Sequence, residues 1–278
     1  MLRMHKQVVW LTAALMLGSC AARRPGAPLR PGFNLFSPEQ DIQLGRDAAV
    51  EVRKQVEVVE NTELQGYVSE LGSRLSRTAE AGPYPYTFTL VNDPTLNAFA
   101  LPGGPVFLHS GILAAVDNEA QLAGVLAHEI SHVALRHGTN QASKANIAQL
   151  PAVLAGAAVG QESMAAQLAQ LGIGVGFNSL LLKYSRDAER DADSLGTRLM
   201  SQARYNPIEM ARFFEKLEGE GGSRAPDFLS SHPSPGNRVR NVEAEIQTLA
   251  ATSYGDGSGR FARMKSLVVQ LPPPRRKR

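Results

Sequence analysis

Five residues, His128-Glu129-Ile130-Ser131-His132, limit what this chain can fold into more than any other part of it. An H-E-x-x-H run does its chemistry only on a helix. There the two imidazoles, four residues apart, project from one face and can take two positions of a tetrahedral zinc. Glu129 lies about 100° further round such a helix, beside the metal and not on it. A carboxylate there can take a proton from metal-bound water as it attacks a carbonyl. The plainer alternative is two histidines on a helix face with no metal, and the pentapeptide alone does not decide between them.

A zinc site needs a third protein ligand. His137 is the nearest histidine, but nine steps of about 100° put it opposite His128 on a continuous helix. It reads as a surface residue, or one behind the ligands. The longer H-E-x-x-H-x-x-G-x-x-H pattern fails, because Leu135 and Gly138 stand where Gly and His are needed. Glu189, in Ser185-Arg186-Asp187-Ala188-Glu189-Arg190-Asp191-Ala192-Asp193, is the better candidate. Glu189 and Asp193 share a helical face, giving a Glu that can reach a metal and an Asp that can orient a ligand histidine. Read alone, the stretch fits a charged, solvated helix equally well.

The N-terminus reads as an address. Arg3 and Lys6 precede an apolar run, Val8 to Leu17, too short to span a bilayer but of signal-peptide size. Leu17-Gly18-Ser19-Cys20 resembles a bacterial lipobox, whose cysteine is lipidated and becomes the new N-terminus. Cys20 is the only cysteine, so disulfides and cysteine metal sites are excluded. Ala21 after the cysteine favours, by resemblance to enterobacterial sorting rules, the periplasmic face of the outer membrane.

Residues 1–19 are thus expected to be a lipoprotein signal peptide, and 20–36 a lipidated cysteine on a Pro-, Gly- and Arg-rich flexible tether. Residues 37–270 form the folded domain, and 271–278 a disordered basic tail. Nine of the 29 basic residues, but none of the 26 acidic ones, lie outside 31–274, which leaves that stretch with a net charge of −6. Nucleic acid is therefore not an expected partner.

Ser37, Pro38 and Gln40 open a helix expected to reach about Val59. Leu64, Tyr67, Val68, Leu71 and Leu75 mark a second, ended by Gly82-Pro83. Tyr86 to Val91, Asn97 to Leu101 and Val106 to His109 read as strands, with His109 facing solvent. Asp117 or Asn118 caps a helix expected to run to about His137. Ile147 to Leu182 suggests a helical hairpin over the domain or a membrane. Further helices are expected over Asn178 to Ala203, Pro207 to Glu218 and Pro235 to Ala251. The fold class is α+β, mostly helical, with a small sheet next to the zinc-binding helix.

Three segments together carry a family resemblance: Asn97-Ala98-Phe99-Ala100-Leu101-Pro102-Gly103-Gly104, the H-E-x-x-H run, and Glu189 with Asp193. The chain resembles the HtpX/BepA/Oma-type zinc metallopeptidases, a gluzincin family that includes the CAAX prenyl protease. The likeness covers roughly Pro38 to Ala251. It implies one zinc ion per chain on His128, His132 and Glu189, Glu129 as general base, and Asp193 behind a ligand histidine. It also brings Ser231-His232-Pro233-Ser234-Pro235-Gly236-Asn237-Arg238, a loop entering a helix, near the metal. His232 is then a reversible fourth ligand that keeps the enzyme latent, an oxyanion donor, or simply a loop histidine.

The activity implied is a zinc metalloendopeptidase for unfolded or misfolded envelope proteins, tethered to the membrane by the Cys20 lipid. Extended substrate would pair with the strand around Val106 to Leu108. The rival is a periplasmic chaperone or assembly factor, working with the outer-membrane assembly machinery without proteolysis.

Overall fold

The computed structural model describes residues 23–158, 183–219, 226–255 and 257–275, and the structural statements below concern these. Helix α1 spans Pro38–Gln55 and opens with the expected capping box between Ser37 and Gln40. It stops short of Val59. The β-branched stretch from Val56 turns extended instead, and Val58 bridges to Val91 on the outer edge of the sheet. Helix α2, Thr62–Ser76, is capped by Asn61 and buries Leu64, Tyr67, Val68, Leu71 and Leu75. A short 3-10 turn, Ala79–Ala81, leads to Gly82.

Three strands follow: β1 Thr87–Val91, β2 Ala98–Ala100 and β3 Pro105–His109. Their order is β1-β3-β2, with β3 parallel to β1 and antiparallel to β2. Since β3 has a neighbour on both sides, Val106 to Leu108 cannot receive a substrate strand, contrary to the sequence expectation. The edge next to the candidate site belongs to β2. Leu101 donates its N–H to Pro105 and His109 donates to Asn97. That register turns the backbone groups of Ala98 and Ala100 away from β3. No described strand pairs with them there.

The Pro102-Gly103-Gly104 turn is pressed against α1. Gly103 has φ +72°, and a Cβ on it would lie 2.4 Å from the Ile42 Cα. A side chain at that turn would push α1 off the sheet.

Helix α3 spans Ser110–Ala115 and α4 Glu119–Ala134, the latter capped by Asn118. Buried along nearly its whole length, α4 is the axis of the molecule. It packs against α2, β2, α6 (Arg186–Gln202) and α7 (Ile208–Gly219). Gly124 lets α7 approach closely, its missing Cβ position lying 2.6 Å from the Met210 Cβ.

The zinc-motif helix does not continue to His137. It breaks at Arg136, a non-glycine residue at φ +56°, and α5, His137–Ala158, sets off in a new direction. Arg136 is held there by Asp41 on α1, 2.6 Å away, and by the Phe36 carbonyl. Of the hairpin expected over 147–182, α5 covers the first part and 159–182 lie outside the described residues. Helix α6 starts at Arg186 under a Ser185 cap, with 183–185 non-helical, so the expected start at Asn178 is not met within the described residues.

Two further helices were not anticipated: α8, Pro226–Ser231, and α10, Phe261–Val268, which buries Met264 and Val268 against α2 and α3. Between them α9 occupies Arg238–Ile246, shorter than expected at both ends. No helix among the described residues is long and apolar enough to cross a membrane. His109, expected to face solvent, is buried, and its Nδ1 lies 2.7 Å from the Thr95 hydroxyl.

Residues 23–36 lack regular structure but lie along the body. Arg23 pairs with Asp191, Gly26 donates to Glu245, Ala27 accepts from Arg198, and Leu35 donates to Ser143.

Candidate metal centre

Helix α4 presents His128 and His132 on one face, one turn apart, with Glu129 beside them; all three are buried. Helix α6 crosses α4 and brings in Glu189 and Asp193. His232 arrives from the loop after α8, its ring stacked on Phe228 at 4.5 Å. The structure thus gathers His128, His132, Glu189 and His232 into one buried group, each offering a ligand atom within 4.8 Å of the others.

The donor spacing fits a metal. His128 Nε2 lies 3.0 Å from His132 Nε2, 3.3 Å from His232 Nδ1 and 3.3 Å from Glu189 Oε2. Glu189 Oε1 lies 3.4 Å from His132 Nε2 and 3.2 Å from His232 Nδ1. Four donors at about 2.1 Å from a common centre stand about 3.3–3.4 Å apart in a tetrahedron. The orientation fits as well. His128 turns Nδ1 to Asp193 Oδ1 at 3.0 Å, and His132 turns Nδ1 to His137 Nδ1 at 3.0 Å, so both Nε2 atoms are left aimed at the same point.

Electrostatics draw positive charge to that point. Burial pushes the His128 pKa down, but Glu189 and Asp193 outweigh it and hold it up at about 9. Burial works against the Glu189 carboxylate too, yet His232 and His128 keep its pKa well below the usual range. Burial depresses both His132 and His137, the latter to about 3, so both imidazoles are neutral and able to bind or orient. A divalent cation can take the place of the proton that Glu189 and Asp193 draw to His128, and the ionised carboxylate suits it equally.

Glu129 stands apart from the donors. Neither of its buried oxygens has a hydrogen-bond partner, and His232 Nε2 is 3.5 Å from Oε1. Burial raises its carboxyl pKa, countered in part by His232 and His128. An unpartnered buried carboxyl is costly unless it serves something that comes and goes.

Two residues around the centre, Arg238 and Tyr184, were not assigned from sequence, and His137 takes the second of the two places offered for it. Arg238, the first residue of α9, is fully buried. Its Nε donates to Asp193 at 2.7 Å, its Nη2 contacts Glu189 at 3.3 Å, and its guanidinium lies over the Phe214 ring at 4.4 Å. An arginine six residues after His232, in the same short loop, was the available signal. His137 is not at the surface but behind His132, which a continuous helix would not allow. Tyr184 stacks on His132 at 3.9 Å between centroids, and its N–H donates to the Ser231 carbonyl next to His232.

The chain is similar to a "Beta-barrel assembly-enhancing protease" of Escherichia coli (strain K12), 31% identical over 90% of this chain and 54% of that protein. It is 32% identical to the protein of that name in Yersinia pestis, over 92% of this chain and 57% of the relative. Over 64% of the chain it is 35% identical to the "Mitochondrial metalloendopeptidase OMA1" of Schizosaccharomyces pombe, covering 51% of that protein. The chain thus spans a little over half the length of these relatives. Peptidase family M48 matches residues 62–246, a stretch that holds every donor of the buried group. With two thirds of the chain matched in this way, the protein belongs to peptidase family M48.

Proposed function

We propose that the chain is a zinc-dependent endopeptidase of the bacterial envelope, cleaving unfolded or misfolded polypeptides. The observation that carries this is the closed set of donors, His128, His132, Glu189 and His232, beside a buried, unpartnered Glu129. His128, His132 and Glu189 would hold one zinc ion, which supplies a polarised carbonyl and a water acidic enough to attack at neutral pH. Asp193 and Arg238 fix His128 and Glu189 in place.

Glu129 takes a proton at its carboxylate during attack and returns it to the leaving nitrogen. Its raised pKa suits that exchange better than an ordinary surface carboxylate would. Substrate enters as an extended strand on the outer edge of β2, using the outward backbone groups of Ala98 and Ala100. Such pairing reads backbone, and so accepts any unfolded segment.

His232 is the latency residue in this reading. Its Nδ1 stands at donor distance from His128 and Glu189, where it would take the fourth position on a bound metal in place of water. Substrate binding must therefore displace the loop that carries it. Cys20 carries the lipid that tethers the chain to the periplasmic face of the outer membrane. The name of the Escherichia coli relative favours a second reading, in which the fold also enhances the assembly of β-barrels. Casein digestion that stops on zinc chelation and returns when zinc alone is restored supports the enzyme. Digestion indifferent to chelation contradicts it.

A further inference from the structure

The exposed large apolar side chains are not scattered evenly. Of the five among the described residues, Phe33, at 59% exposure, Leu35, at 53%, and Ile147, at 46%, belong to the N-terminal strap and the part of α5 it crosses, while Val50 and Val269 stand elsewhere. The Phe33 carbonyl accepts from Asn140, and the Leu35 N–H donates to Ser143 Oγ at 2.9 Å. Ile147 lies one turn beyond Ser143, on the same stripe of α5. Lys144 stands among them, exposed, as are Arg24 and Arg30 on the strap. Lys183 joins this side through its carbonyl, which accepts from Gln141 of α5 at 2.6 Å. The acidic groups at the neighbouring start of α6 are engaged: Asp191 with Arg23 and Asp187 with Arg190. Apolar side chains ringed by basic ones suit the boundary between acyl chains and anionic headgroups.

The chain itself leads to the occupant. Cys20 is three residues from Arg23, so the two are at most about 10 Å apart along the chain. Arg23 Nη1 is 3.2 Å from Asp191, two residues from Glu189 of the metal centre. α5 itself begins at His137, whose Nδ1 is 3.0 Å from His132 Nδ1, which sets α5 beside the donors. A lipid on Cys20 would bring the bilayer to this side of the molecule.

We infer that the strap and the adjoining part of α5, through Phe33, Leu35, Lys144 and Ile147, form a docking face for an anionic phospholipid bilayer, which holds the metal centre at the membrane surface. The inference rests on the lipid-anchor reading of Cys20. It changes what the protease is expected to meet: polypeptide segments lying at, or emerging from, the bilayer surface.

Trp10 is the only tryptophan and lies in the expected signal peptide, so the processed chain, or one that keeps its leader and carries Trp10→Phe, offers a dark background. Single probes are then introduced as Phe33→Trp, Ile147→Trp or, at the exposed end of α10, Val269→Trp. The chains are reconstituted on vesicles of phosphatidylethanolamine and phosphatidylglycerol with brominated acyl chains. Quenching of the first two probes should exceed that of the third by at least about twofold, as expected for side chains seated among acyl chains. Equal quenching at all three positions, or none at any, overturns the docking face. So does shielding of the first two probes that grows with protein concentration without vesicles, since a second copy would then cover the face. The mass of the same preparation reports Cys20 separately. An unacylated Cys20 with the expected quenching fails the anchor reading alone and upholds the face.

Discussion

Asp193 is shared between two partners: one oxygen faces His128 Nδ1 at 3.0 Å and the other accepts from Arg238 Nε at 2.7 Å. Arg238 also reaches Glu189, so one guanidinium braces a carboxylate donor and the support of an imidazole donor. Arg238→Ala should weaken zinc binding by roughly 10- to 100-fold, the usual effect of losing a partner behind a ligand. Arg238→Lys should not restore it, because one ammonium cannot serve both carboxylates in this geometry. Competition against a chromogenic chelator measures both variants, and unchanged affinity in Arg238→Ala would remove the bracing role.

Glu189 supplies the carboxylate of the donor set, with both oxygens turned to imidazoles. Glu189→Ala should purify without stoichiometric zinc and without cleavage. Metal analysis that finds one zinc per chain with normal activity would exclude Glu189 as a ligand.

His232 distinguishes two mechanisms by sign. As a group occupying the water position, its loss in His232→Ala should leave turnover intact or raise it at matched zinc content. As an oxyanion donor, its loss should lower turnover by on the order of 10²-fold. The position of its Nδ1 among the donors favours the first outcome. A large loss in casein turnover would discard latency.

Away from the centre, Glu119 is buried where α2, α4, the turn after α6 and the Ser258 loop meet. It accepts from Tyr67 at 2.9 Å, Tyr205 at 2.7 Å and the Ser258 N–H at 2.9 Å. Burial raises its pKa, but the bonds from Ser258, Tyr205 and Tyr67 outweigh this and hold it below the usual 4.5. A depressed carboxyl contributes stability that is complete above its unfolded pKa and is lost as pH falls through the folded one. The melting temperature of the native chain should therefore fall more steeply below about pH 5 than that of Glu119→Gln, which should also be less stable at neutral pH. Parallel acid slopes in thermal melts would remove Glu119 from this role.

Local signals in the sequence led to local features of the structure. The caps at Ser37 and Asn118 stand where their side chains suggest, because a cap needs only the residues beside it. Spacing alone likewise paired His128 with His132 and Glu189 with Asp193. What the sequence hid depends on distant partners. The break at Arg136 is stabilised by Asp41, 95 positions away, and without that break His137 could not turn back onto His132. Similarly, α1 ends early because Val58 is recruited to β1. β3 reads as a strand, but only pairing on both sides shows that it is interior and that β2 holds the edge by the centre. Arg238 lay in a segment already singled out for its histidine, yet its reach to Asp193 and Glu189 depends on α9 packing against α6.

Central to the proposed function is a buried metal with Glu129 beside it as the proton carrier. The direct measurement is zinc content and casein cleavage on the native chain and on Glu129→Gln, side by side. Both should hold one zinc per chain, since Glu129 is not a donor, while cleavage by the variant should drop by on the order of 10²-fold or more. Cleavage that survives Glu129→Gln at full zinc content, or a native chain that binds no metal, would contradict it.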